Sequence, residues 1–517
     1  MVHFSSFKNI VLTGVFALCV FFSTTAQNTF SNGESAPGRE WKLSVRDSLQ
    51  LSRIPEFRMS HTAQVHKITY PTVWDNSDEI YFRPMFNDVA FECGQGSGIA
   101  LGFTYELNYL RGTNASLPEN QIPTHFVYNF HNSGISNMGV SYFDSWEVLK
   151  EMGSPSVLEY GGMHIGAGTF REKTWVNGYN VYYEGMKNRS DFIYSIKVNT
   201  PEGLETLKAW LYDHAGTGSA GGVANFYSKF MSPSQMATLA PGTPQAGKYV
   251  VTGWGNSNHG MCVVGWHDSI RYDYNYDGQY TTTIDINNDG IVDMQDWEIG
   301  GLIFANTYSN PGGNSYANGG FCYMMYATLA IPYGDGGIWN NAMHIITAKE
   351  NCDPLLTWKI KLRHTMRNKL RIYMGLANDT NATAPEELIA FQTFNGEAGP
   401  YFMQGDTTVA GQFLEFGLDI SELLNYVDSG QAARYFLLLE EIDPSNQGEG
   451  ELVNLSLLDY TNGCDTIFYH FPNQVLTNND ISSFSVVHTV IFNDIQITSD
   501  VLPPAIVNSN YAEPIHS

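Results

Sequence analysis

An α+β domain followed by an all-β sandwich is the fold class that this 517-residue sequence predicts. Three observations predict it. Between about residues 70 and 335, amphipathic helical stretches mix with short apolar runs of strand length. Beyond about 345, polar–apolar alternation recurs between turn-rich spacers. The chain is also too long for one ordinary core, and its 43% hydrophobic and 14% aromatic content suffices for several.

The elements follow in order. Lys8, the apolar run "IVLTGVFALCVFF" and small residues at Thr24 and Ala26 read as a secretion signal over 1–26, cleaved before Gln27. The run is short for a bilayer span, and no later stretch is long and apolar enough to make one. The mature protein is therefore expected outside the cell, secreted or at the surface, with no membrane span. A net charge of −25 excludes the basic footprint of a nucleic-acid binder. Residues 27–69 are polar and mixed, a leader before the first domain.

That domain is placed at 70–340. Within it, Thr200 as N-cap and Pro201 in the first turn open a helix whose Leu204, Leu207, Trp210 and Leu211 form one apolar face. "MCVVGW" and "GLIFAN" read as strands. From 345 to 500, "TWKIKLRH", "KLRIYMGL", "RYFLLLEE", "TIFYHF" and "SFSVVHTVIF" are the strands of a β-sandwich. Cys352 and Cys464 both fall there and could form one disulfide. Residues 501–517 read as a tail or linker.

Three segments carry chemistry. "ECGQGSG" puts Cys93 before a helix, "NSNHGMCVVGWHD" puts His259 at the start of a strand, and "GLIFANTYSN" puts Asn306 at the end of another. A thiolate gains from a neighbouring imidazolium and a helix N-terminus, and a side-chain amide oxygen can orient the imidazole. The order Cys, His, Asn, with "YPTVWDNSDEIYFRPMFND", "LPENQIPTHFVYNF" and "MGVSYFDSWEVLKEMGSPS" around it, resembles the papain-like cysteine peptidases. The likeness covers about half the chain, and the paired histidine and asparagine segments are its most specific part. It implies a two-lobed domain, a helical lobe against a β-barrel-like lobe.

The nucleophile segment departs from the family pattern, because only one cysteine stands where the family shows two. If Cys93 matches the nucleophile, Asn87 falls six residues upstream, at the family's oxyanion glutamine. If Cys93 matches the earlier, disulfide-forming cysteine, Gly96 takes the nucleophile position and the enzyme is dead. The first alignment implies Cys93 as nucleophile, His259 as base, Asn306 as its orienter, Asn87 as oxyanion donor and Tyr308 as a shield over the His–Asn pair. Asp88 in place of Asn87 would be an anion opposing the oxyanion.

Between His259 and Asn306 lies an insertion, 267–300. "DINNDGIVDMQD" sets Asp285, Asn287, Asp289, Asp293 and Asp296 at loop positions 1, 3, 5, 9 and 12, with Gly290 at 6 and the carbonyl of Ile291 at 7. "DYNYDG" repeats the first half with Asp273, Asn275 and Asp277. The pattern resembles dockerin and EF-hand calcium loops, and implies a structural Ca²⁺ that stiffens the active-site rim.

The expected function is that of an exported cysteine peptidase acting on protein or peptide substrates. The rival is a catalytically inactive papain-fold surface protein acting in binding or adhesion, its sandwich taking a glycan or protein ligand. A calcium-dependent docking component is a third reading. The leader is short for the family's inhibitory prosegment.

Overall fold

The computed structural model of the chain describes residues 53–59, 69–89, 91–135, 138–166, 168–216, 220–308, 317–394 and 398–492. The expected signal, most of the leader and the tail at 501–517 lie outside them. The class is the mixed α+β one expected, with an additional pair of sheets at the C-terminal end.

The helical half begins at Cys93. Segments Cys93–Gln95, Gly96–Phe103 and Thr104–Arg111 run on as one helix, the middle one wound in wide π turns, and Gly112 ends it in the left-handed conformation. Helices Thr124–His131 and Tyr142–Glu151 pack against it, and Tyr179–Met186 packs on Phe413–Asp419. Two glycines set how closely this helix fits. A Cβ on Gly94 would meet the carbonyl oxygen of Val140 at 2.5 Å, and one on Gly96 would meet Thr307 Oγ1 at 2.5 Å. The glycine run that follows Cys93 is thus the contact surface of the helix.

The β half is one nine-stranded sheet. Its order is Ser190–Lys197, Ala342–Ala348, Ala224–Ser228, His259–Arg271, Ile299–Ala305, Phe321–Met325, Tyr249–Val251 and Ala237–Thr238, with Val73–Asp75 also paired to the His259 strand. The expected helix is Pro201–Asp213, capped by Thr200 Oγ1 accepting from the Gly203 amide at 3.2 Å. The described leader residues lie on the outer strand of this sheet. Glu56 bridges Ser195 in parallel sense, and the Phe57 ring meets Tyr194 and Trp210 edge-on.

After Ala348 come two four-strand antiparallel ladders. One runs Phe413–Asp419, Leu356–His364, Gly450–Asp459 and Asp465–Phe468, with Gln474–Val475 as a fifth short strand on Gly450–Asp459. The other runs Glu387–Phe391, Leu370–Ala377, Ala432–Glu441 and Ile481–Thr489. Alternate residues such as Trp358, Ile360 and Leu362 meet Ile372, Tyr435, Leu437 and Phe484 in a shared core, as a sandwich requires. The disulfide is not formed. Cys352 is buried with its sulfur on the Lys349 carbonyl at 3.1 Å, while Cys464 is exposed.

The packing boundaries do not follow the chain boundaries. Ile99, Phe103, Phe130, Trp146 and Trp175 of the helical half share one core with the sandwich, whereas Phe226, Met261, Val263, Leu302 and Phe304 of the sheet form another. Polar ties reinforce the first. The Glu151 carboxylate accepts from the amides of Gln392 and Thr393 at 2.7 and 2.8 Å, and from the Thr393 hydroxyl. Arg367 stacks on Trp175 at 4.1 Å. A third cluster, with Leu101 and Tyr105 of the Cys93 helix against Cys262 and Val264 of the His259 strand, joins the two.

Gly94→Ala is expected to cost about 1–3 kcal/mol, because the added methyl must displace backbone. A denaturant midpoint equal to that of the parent protein would refute this close-packing account.

Candidate active site

The helix start and the sheet meet where the chemistry was expected. Glu92 is the N-cap residue but makes no side-chain cap bond, so the first-turn amides stay open toward the site. The first helical bond runs from the Gly96 amide to the Glu92 carbonyl at 2.7 Å. Ser97 Oγ donates to the Cys93 carbonyl at 2.8 Å, and Asn225 Nδ2 to the Ser97 carbonyl at 2.8 Å, locking this turn onto the sheet. Gly260, the residue after His259, packs on the same turn: a Cβ there would meet Ser97 Oγ at 2.8 Å and the Cys93 carbonyl oxygen at 3.3 Å. Cys93 is thus brought against the His259 strand.

His259 and Asn306 face each other across neighbouring strands, with His259 Nε2 2.8 Å from Asn306 Oδ1. The amide of Tyr308 also donates to Asn306 Oδ1, at 2.9 Å. An atom that accepts from a backbone N–H must be the amide oxygen, so it accepts from Nε2 as well. Nε2 therefore carries the proton, and Nδ1 is left as the basic nitrogen. Tyr308 sits 6.0 Å from the imidazole, perpendicular to it, and Phe230 stands at 5.4 Å and is also edge-on. Tyr308 thus shares the cover over the imidazole with Phe230, a residue the sequence pattern did not single out.

Electrostatically the site favours neutral groups. Desolvation pushes the Cys93 thiol up, against the pull of the nearby Gly260 and Gly94 backbone. Burial also pushes His259 down, against the charge of Asp88 and the bond to Asn306. The resting pair is a thiol and a neutral imidazole, so ionisation must accompany reaction.

The segment before Cys93 is held from both sides. Asn87 is exposed. Asp88 turns inward, with its amide on the Thr307 carbonyl at 2.9 Å and Thr307 Oγ1 on its Oδ2 at 3.3 Å. Glu92 Oε1 takes the Val89 amide at 2.8 Å, and its Oε2 lies 2.7 Å from His125 Nδ1, both residues being buried. Glu92, His125 and Thr307 were not anticipated. The one available signal was a charged residue beside Cys93, and nothing local announces its partner in another helix.

The insertion lies elsewhere. It joins the His259 and Asn306 strands at their far end, since the register runs from Cys262–Ala305 beside the site to Arg271–Ile299 at the loops. Nine residues of strand place it roughly 30 Å away, so it does not border the active-site rim as expected. Both loops take the same shape. Asn275 and Asn287 each accept an amide two residues on, and Tyr276 and Asn288 are left-handed before Gly278 and Gly290. Asp285 Oδ2 accepts the Gly290 amide at 2.9 Å, while Asp285 Oδ1 is buried without a partner. Asp293 caps the turn Met294–Asp296. Asp296 is fully buried, its oxygens on the amides of Ile286, Asn287 and Asp293. Among the described residues no three His, Cys, Asp or Glu side chains are grouped to hold a metal ion. The unpartnered Asp285 oxygen and the hard oxygen donors fit calcium; Asp296 is committed to holding the loop.

Because the Cys93 thiol is raised, its alkylation by iodoacetamide should be slow at pH 7 and still accelerating through pH 9. A plateau reached by pH 6 would instead reveal an ion pair at rest.

No family model and no curated protein matches the chain. Among solved structures it is similar to xylellain, a cysteine protease from Xylella fastidiosa, at 12% identity over 62% of this chain and 99% of that one, with a TM-score of 0.38. Procathepsin B from Trypanosoma congolense is similar at 13% identity, over 58% and 84%, with a TM-score of 0.34. Procathepsin L 3 of Tenebrio molitor larval midgut is similar at 13%, over 66% and 90%, with a TM-score of 0.32.

Proposed function

We propose that the protein is an exported cysteine peptidase of papain-like fold that hydrolyses peptide bonds in protein or peptide substrates. One observation carries the reading: His259 is fixed with Nε2 protonated on Asn306, while the residue next to it packs on the backbone of a cysteine that opens a helix. Nδ1 of His259 takes the thiol proton as Cys93 attacks the carbonyl carbon. The first-turn amides of the helix stabilise the negative charge formed on oxygen, with a further donor from the Asn87–Asp88 segment. Imidazolium then returns the proton to the leaving amine, and water releases the acyl group by the same steps in reverse.

The rival reading, an inactive binding or adhesion protein, draws on the same raised thiol and lowered imidazole, which leave no thiolate at rest. Hydrolysis of fluorescein-labelled casein separates the two. Cys93→Ala should abolish it, and His259→Ala should lower it about 10²–10⁴-fold, the usual weight of a general base. Hydrolysis that survives Cys93→Ala removes the peptidase reading.

Export rests on the N-terminal signal pattern; among the described residues no helix is long and apolar enough to cross a membrane. Calcium in the insertion would be structural. Asp285, Asn287 and Asp289 with the carbonyl of Ile291 would hold it in the second loop, and Asp273, Asn275 and Asp277 would do so in the first, closing the far end of the hairpin. At about a hundred times its dissociation constant the ion should add about 2.7 kcal/mol of stability. That increment should be lost with chelator, and the second loop's share with Asp285→Ala. An unfolding midpoint indifferent to calcium would leave the loops as plain Asx turns.

A further inference from the structure

The reading of Asp88 as an obstacle to catalysis assumes that it is an anion. Its surroundings point the other way. The residue is anchored twice to Thr307, the neighbour of Asn306, through its own amide and through Oδ2. It is close enough to His259 and Cys93 to feel both, and His259 feels it in turn. Among the described residues no hydrogen bond engages Oδ1. The ionisable groups facing it are His259 from the sheet and Glu92 and Cys93 from the helix start, with the Thr307 hydroxyl beside them. No lysine or arginine is among them.

Resting on the cysteine-peptidase reading, we propose that Asp88 is the side-chain hydrogen-bond donor to the oxyanion formed when Cys93 attacks a carbonyl. The carboxyl fills that role as the neutral acid. It lends its O–H to the developing negative oxygen and keeps its proton throughout, so no bond to it is made or broken. Carboxylic acids held neutral in apolar sites serve in this way in other enzymes. The environment supports the neutral form. Burial pushes the Asp88 carboxyl up to about 8, helped by the charges of Glu92 and Cys93 and opposed by His259 and the Thr307 bond. The placement also explains why Asn87 can stand exposed: the inward position on this segment is already taken.

The chemistry carries its own pH signature. An acid donor is lost as pH rises through about 8, whereas an amide donor in its place does not titrate. The test is the pH profile of kcat/KM for labelled casein in the wild type, Asp88→Asn and Asp88→Ala, with Cys93 labelling by a peptidyl chloromethyl ketone as a separate readout. Wild-type activity should fall above pH 8, while Asp88→Asn should stay active there. Asp88→Ala should lose about 10²–10³-fold in kcat, the usual effect of removing one oxyanion donor, with KM and Cys93 labelling changed less than about threefold.

Superimposed alkaline limbs in the wild type and Asp88→Asn would overturn the proposal. So would an Asp88→Asn protein as inactive as Asp88→Ala while Cys93 still labels, which would make the carboxylate the needed form. Wild-type protein that neither cleaves casein nor labels at Cys93 would remove the peptidase reading and this one with it.

Discussion

Everything at the candidate site depends on how closely one helix approaches two surfaces at once. Interior packing tolerates no gap and no overlap, and the helix opened by Cys93 meets Val140 on one side and Thr307 on the other without the width of a methyl group to spare. That closeness sets the Cys93 turn against Gly260, the neighbour of His259. It also half-buries the thiol and buries the imidazole, which drives both toward their neutral forms. The same approach creates the site and sets its resting charge.

The segment leading into Cys93 is shaped by the same demand. A buried Glu92 cannot be left unpaired, and its two oxygens go to the Val89 amide and to His125. With Glu92 turned that way, the helix start is left uncapped, and Asp88 is the acid that faces the sheet. Thr307 answers it there. A short run of the chain thus holds two acids with opposite fates, one tied to a histidine away from the site and one directed into it.

Much of this was legible in the sequence. Thr200–Pro201 marked the start of Pro201–Asp213, and alternation marked Leu356–His364, Leu370–Ala377 and Ala432–Glu441, because caps and side-chain periodicity are local properties. His259 and Asn306 were legible as a pair because one opens a strand and the other follows the end of one. The strands Phe413–Asp419 and Gly450–Asp459 were missed, their alternation being interrupted by glycine and asparagine. The inward turn of Asp88, the Glu92–His125 pair and the remote position of the insertion were not legible. Each depends on register or on partners far along the chain, and the length of a hairpin cannot be read from the spacing of two residues alone.

The sharing of one core between the helical half and the sandwich bears on how such a chain can change over time. A module joined through a linker can be lost or exchanged at little cost, but Trp146, Trp175, Trp358 and Phe416 lie in a single buried cluster. Cutting the chain near residue 350 would expose that cluster on both fragments and strip Glu151 of its partners. The two parts are expected to melt together, and substitutions across this seam to be tolerated only in matched sets. The sandwich is thus part of the scaffold beneath Cys93, whatever ligand its outer faces take.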